Sequence, residues 1–304
     1  MAAFPSGEQF EIAYGDQRAT IVEVGGGIRE YTTGDHEVLE PYPLDASCDG
    51  AHGTPLIPWP NRLAGGRYSF DGTDYQLALS EPEKRNAIHG LLRWRNWQLR
   101  ERAPERVTVG TRLHPMPGWP FTLDVTLIYS LSEQGLSVQM RATNAGEQTC
   151  PFGAGQHPYL SAGGGLIDDC RVELRAATRI LTDTDRGLPT GTEPVAGSDF
   201  DFRASRPVAE LKIDHTFTDV GRDVDGLAWV RLVRPDGATV ELWADRTYSA
   251  IQLYTGDTLA PPRRRHALAA EPMTCPPNAL QTGEGVVRLE PGESHVGRWG
   301  ARLA

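Results

Sequence analysis

The chain has 304 residues, including 33 glycines and 23 prolines, with 39% hydrophobic and 23% charged residues and a formal net charge of −10. Such a length can bury a sizeable core, and the glycine and proline excess works against long helices. An acidic balance repels polyanions, which sets aside nucleic acid and an anionic membrane surface as partners.

The first residues, Met-Ala-Ala-Phe-Pro-Ser-Gly-Glu, have no basic segment followed by an apolar core, and no apolar run approaches the roughly 20 residues needed to span a bilayer. Cys48, Cys150, Cys170 and Cys275 are far apart, without paired metal-ligand spacing. The expectation is a cytoplasmic protein with reduced thiols. Asp71-Gly72 lies between Tyr68-Ser69-Phe70 and Tyr75-Gln76-Leu77 and predicts a two-residue hairpin. Val107, Val109 and Leu113 open a run of period two. Phe121, Leu123, Val125, Leu127, Tyr129 and Leu131 continue it, followed by Leu136, Val138 and Met140. Side chains alternate faces along a strand, so these runs predict a meander of three half-buried antiparallel strands. Arg171–Leu174 alternates in the same way, and Pro235-Asp236-Gly237 separates Val230/Leu232 from Val240/Leu242 as a second hairpin. The polar, turn-rich stretch 182–207 predicts a long connection. No linker or repeat divides residues 1–304, and no window carries three clean helical turns. The predicted fold is all-β: one domain, a large antiparallel β-sandwich with few short helices.

Five segments carry chemistry. They are Pro-Trp-Pro-Asn61-Arg62, Asn-Ala-Ile-His89-Gly, Gln-His157-Pro-Tyr-Leu, Asp214-His-Thr-Phe and Ala-Glu271-Pro. In this order they resemble the motifs of the aldose 1-epimerase (galactose mutarotase) family, and the resemblance covers roughly residues 10 to 300. It implies a large antiparallel β-sandwich with a sugar site in an open cleft on one sheet. The activity implied is interconversion of the α and β anomers of an aldohexose such as galactose or glucose. The implied roles are Glu271 as general base, His157 as general acid and His89 as catalytic support. The resemblance further implies Arg62, Asp214 and Asn61 as the residues that bind the sugar.

The reaction explains these residue types. Anomers exchange when the ring opens to the aldehyde, C1 turns its other face and the ring recloses. A base takes the proton of the C1 hydroxyl, an acid protonates the ring oxygen, and the roles reverse on closure. Histidine suits the acid role, and a carboxylate suits the base role when burial raises its pKa. No cofactor or metal is required.

Each residue has a plainer reading. Glu271 reads as a solvated loop carboxylate before Pro272, and Glu284 and Glu293 are rivals. Pro158 places His157 at a sheet edge or strand end, where sites concentrate. His89 stands among Ile88, Leu91, Leu92 and Trp94 as a packed histidine. Arg62 can pair with a carboxylate, Asn61 can shape its loop, and Asp214 can cap a turn, with Asp219 and Asp225 as rivals. His215 would face away from Asp214 in a strand. Trp59, Trp94, Trp97 and Trp119 read mainly as core, with sugar stacking as the sharper alternative.

Arg263-Arg264-Arg265 reads as a solvated loop or as a phosphate grip, which would make the substrate a hexose 6-phosphate. A third possibility is a sugar-binding protein without catalysis, although a pure binder has no need of the acid–base pair. A nucleophile elbow, a His-Glu-x-x-His motif, a P-loop and a dinucleotide fingerprint are all missing.

Overall fold

In the computed structural model, which describes residues 4–304, two large sheets carry most of the chain. The nine-stranded sheet contains the predicted meander as Arg106–Leu113, Leu123–Ser132 and Gly135–Asn144, paired antiparallel in sequence order. Leu123–Ser132 alternates buried and half-buried residues without interruption, as its period of two requires. Gly135–Asn144 pairs onward with Ser294–Leu303, which pairs with Thr239–Ala244. Both predicted hairpins form, Arg67–Phe70 with Thr73–Gln76 and Ala228–Val233 with Thr239–Ala244.

The twelve-stranded sheet begins at Gln9–Tyr14 and ends at Pro189–Pro194. Its middle runs His36–Leu39, Tyr159–Ser161, Ala267–Met273, Ala250–Tyr254, Asp214–Val220. Tyr129 and Trp299 of the nine-stranded sheet and Leu268 and Ala270 of the twelve-stranded sheet share one buried apolar cluster. Among the described residues helix is confined to Ala279–Thr282 and three 3-10 turns.

Two expectations change. The stretch 182–207 is not only connection, because Pro189–Pro194 pairs with Ala176–Thr182 as an edge strand and Arg206–Pro207 joins the other sheet. Pro189–Pro194 is largely exposed, so no buried face marked it in the sequence. Arg263-Arg264-Arg265 is neither a solvated loop throughout nor a free phosphate grip. Arg263 hydrogen-bonds His52 and lies 3.5 Å from Glu40, while Arg265 binds Asp168 at 2.6 Å and Asp257 at 3.0 Å. All four cysteines are free, and among the described residues no helix is long and apolar enough to cross a membrane.

Candidate active site

Antiparallel register and period two assemble the site on the outer face of the twelve-stranded sheet. Along Ala267–Met273, Leu268 and Ala270 belong to the core between the sheets, while Ala267 and Ala269 pack with Tyr159 on the opposite side. Alternation therefore puts Glu271 on that second face. Gln252 stands opposite Glu271 on the next strand, and Thr216 stands opposite Gln252 on the one after. Asp214, two residues before Thr216, shares their face. The Thr216 hydroxyl donates to Gln252 Oε1 at 2.5 Å, and Gln252 Nε2 donates to Asp214 Oδ1 at 2.7 Å. This relay fixes the Asp214 carboxylate. His215 faces away, against Phe200, as alternation predicts.

His157 follows Gln156, whose side chain points inward. Gln156 Nε2 donates to Tyr129 Oη and to Gly53 O at 3.1 Å each, and Trp299 Nε1 donates to Gln156 Oε1 at 3.2 Å. Anchored between the sheets, Gln156 turns its neighbour His157 outward. Pro158 interrupts the strand rather than marking an edge. Tyr159–Ser161 lies inside the sheet between His36–Leu39 and Ala267–Met273, and the Pro158 carbonyl accepts the Ala270 N–H at 3.1 Å. The strand-end expectation for His157 holds, and the edge does not.

The second wall is a small ladder of Arg62–Ala64 against Asn86–Ile88. Asn61 and His89 flank it, both at positive φ, 55° and 60°. His89 N–H donates to the Asn61 carbonyl at 3.0 Å, and Asn61 N–H donates to His89 Nδ1 at 3.2 Å. Asn61 Oδ1 accepts the Arg62 N–H at 2.8 Å, so Asn61 shapes this loop. Gly90 is required beside it, because a Cβ there would stand 2.0 Å from the Ile57 carbonyl oxygen. Arg62 is clamped by Glu81, with Nε 3.0 Å from Oε2 and Nη2 3.0 Å from Oε1. Its Nη1 lies 3.9 Å from Asp214 Oδ2.

These walls enclose a cleft of about 390 Å³. All six predicted site residues, Asn61, Arg62, His89, His157, Asp214 and Glu271, line it. Glu284 and Glu293 lie elsewhere and exposed, and Asp219 and Asp225 do not line it. Trp59, Trp97 and Trp119 are core, whereas Trp94 is 58% exposed on the cleft rim. Sequence reasoning passed over Gln252 and Glu81. A glutamine inside the apolar run Ala-Ile-Gln-Leu-Tyr was the available signal for the first. Glu81 lies 19 residues from Arg62 in a polar stretch and gave none.

At the floor, Glu271 Oε1 lies 3.2 Å from His157 Nε2, with both side chains buried. Glu271 is within a strand and 2% exposed, not a solvated loop carboxylate. Its Oε2 is buried without a hydrogen-bond partner. Burial pushes the Glu271 carboxyl well above the usual range, Asp214 adds to this and Arg62 opposes it. Burial pulls His157 down to about 3, with the charges of Arg93 and Arg263 adding. The pair therefore holds a single proton between carboxyl and imidazole. The Tyr159 ring stacks on His157 at 4.9 Å and sets its plane.

His89, His157 and Glu271 offer ligand atoms within 4.8 Å of one another. Because His89 Nδ1 accepts the Asn61 N–H, its neutral ring carries the proton on Nε2. That nitrogen can donate a hydrogen bond but has no lone pair for a metal.

The aldose 1-epimerase family model matches residues 8–300. An uncharacterized Escherichia coli protein, YihR, is 38% identical over 294 residues, covering 95% of this chain and 91% of that one. The aldose 1-epimerase of Escherichia coli is 29% identical over 219 residues, 66% of this chain and 61% of that protein. Among solved structures, the GalM/aldose epimerase homologue from C. elegans superposes with a TM-score of 0.86 at 20% identity, covering 98% of each chain. With its motifs gathered in one cleft and the family model spanning nearly its full length, this protein belongs to the aldose 1-epimerase family.

Proposed function

We propose that the protein is an isomerase that interconverts the α and β anomers of a cyclic aldose, with Glu271 and His157 as its proton carriers. The observation that carries this reading is the buried contact between Glu271 Oε1 and His157 Nε2 at 3.2 Å, with Glu271 Oε2 unpartnered beside it. One proton shared by two groups is what the reaction needs. The pair rests with its proton on Glu271; the reactive form is reached when that proton passes to His157 across the 3.2 Å contact, leaving Glu271 a carboxylate. Glu271 takes the proton of the C1 hydroxyl as C1 and O1 form the carbonyl. The bond from C1 to the ring oxygen breaks, and His157 gives its proton to that oxygen. Afterwards Glu271 is neutral and His157 is neutral, so the pair still holds one proton. Rotation about C1–C2 and the reverse transfers produce the other anomer.

Asp214, fixed by Gln252, accepts from ring hydroxyls, and Arg62, fixed by Glu81, donates to them. His89 Nε2–H supports the oxygen that gains charge. Trp94 offers an aromatic face at the rim for the C–H side of the ring. A pure sugar-binding role is the weaker reading, because burying a carboxylic acid against an imidazole adds nothing to affinity for a neutral ring. Magnetisation exchange between the two anomeric proton signals tests the proposal. Catalytic amounts of protein should speed the exchange well above the spontaneous rate, and an unchanged rate would reject it.

A further inference from the structure

We propose that the cleft is built for an aldose bearing a negative charge on its C5 substituent, held by the guanidinium of Arg93; this rests on the epimerase reading above. Arg93 lines the same cleft as Glu271 and His157. Among the described residues its guanidinium donates no hydrogen bond and stands in no ion pair. Trp94 flanks it, with the guanidinium carbon 5.7 Å from the ring centroid. The other cleft-lining arginine is different, since Arg62 is held on Glu81. Lys84 lies on the same rim, also without an ion pair among the described residues. The protein has 40 acidic residues against 30 basic ones. A half-buried guanidinium left without a carboxylate on so acidic a chain is an anion site, because desolvating an unpaired cation is unfavourable and a bidentate oxyanion reverses that.

The position of Arg93 says which part of the sugar carries the anion. Asp214, with Arg62 3.9 Å away, is tied to the Gln252 that stands opposite Glu271, and these two charges act on Glu271. Arg93, four residues after His89, acts on His157 together with Arg263, and both Arg62 and Arg93 act on His89. Arg93 thus stands on the His157 side of the contacting pair, and the Asp214–Arg62 contact on the Glu271 side. His157 protonates the ring oxygen, and that oxygen is bonded to C5. The exocyclic group on C5 therefore leaves the ring on the Arg93 side, while the C2 hydroxyl lies towards Asp214 and Arg62. A neutral hydroxymethyl group would leave the guanidinium unpaired; a phosphate ester or carboxylate at C6 would pair with it. Pairing also offsets the positive field that disfavours protonation of His157, so the anion promotes ring opening as well as binding.

The test follows anomer equilibration of glucose, glucose 6-phosphate and glucuronate, corrected for the spontaneous rate, with the wild-type protein, Arg93→Gln and Arg93→Lys. The expected result is that kcat/KM for at least one anion exceeds that for glucose by roughly tenfold or more, the equivalent of one good charge-assisted hydrogen bond. Arg93→Gln should bring the ratio near one, and Arg93→Lys should retain part of it. Glucose handled as well as both anions by the wild type overturns the inference, and so does a preference that survives Arg93→Gln. A protein that equilibrates none of the three sugars removes the epimerase reading and this inference with it.

Discussion

Replacing Glu271 with glutamine removes a buried ionisable group whose protonation is coupled to folding. In the folded protein burial holds the Glu271 carboxyl neutral well above its ordinary pKa of 4.5. In the unfolded chain the same group ionises near 4.5. Above that pH the folded state binds the extra proton, so the contribution of Glu271 to stability falls as pH rises, and levels off at the raised folded pKa. The slope is about 1.4 kcal/mol per pH unit for one proton. Above pH 4.5 the Glu271→Gln variant should therefore gain steadily on the wild type, at a slope approaching about 1.4 kcal/mol per pH unit, until the raised folded pKa is reached. His157 has the opposite sign. Its pKa falls from 6.5 to about 3 on folding, so its contribution to stability falls as pH drops below 6.5. The wild type then has a flat contribution from the pair between 4.5 and 6.5, and a variant with only the histidine rises across it. Urea unfolding at a series of pH values, at constant ionic strength, gives the difference curve directly. A difference independent of pH across this window would mean that Glu271 is ionised in the folded state, and the shared-proton description would be wrong.

Asp214→Asn keeps the shape of the side chain but weakens acceptance from sugar hydroxyls, so KM should rise roughly tenfold or more, as loss of a charged hydrogen bond implies, with a smaller change in kcat. Gly90→Ala should destabilise the fold by at least about 2 kcal/mol, since its Cβ meets the Ile57 carbonyl at a residue with φ of 73°; thermal unfolding measures it, and an unchanged midpoint would contradict the packing. Because the pair keeps one proton from below neutrality up to the raised Glu271 pKa, kcat should form a broad plateau through pH 6 to 7. A sharp fall of kcat across pH 7 would instead indicate a histidine titrating at its ordinary value.

The strands were legible where one face is wet. Leu123–Ser132 announced itself because its alternate residues are half exposed. Ala267–Met273 is buried on both faces, and its Leu-Ala-Ala run has no period, so the strand carrying Glu271 read as an apolar run before a proline turn. The same double burial explains why Glu271 looked like a loop carboxylate: Pro272 lies within the strand, opposite Ile251. Site residues became visible through ordered motifs, and the contacts behind them did not. The Gln252 relay depends on register across three strands, and the Glu81 clamp on Arg62 joins residues with no sequence relation. The arginine triplet misled for a related reason, because its carboxylate partners Glu40, Asp168 and Asp257 come from separate parts of the chain.

The central claim is that Glu271 and His157 carry the protons of anomer exchange. The direct measurement is the rate at which a freshly dissolved single anomer equilibrates, by polarimetry, with wild type, Glu271→Gln and His157→Asn at equal concentrations of folded protein. The account predicts a wild-type rate well above the spontaneous one and a loss of kcat of about 100-fold or more in each variant, the usual scale of a lost general acid or base. Full activity in the Glu271→Gln protein would contradict it.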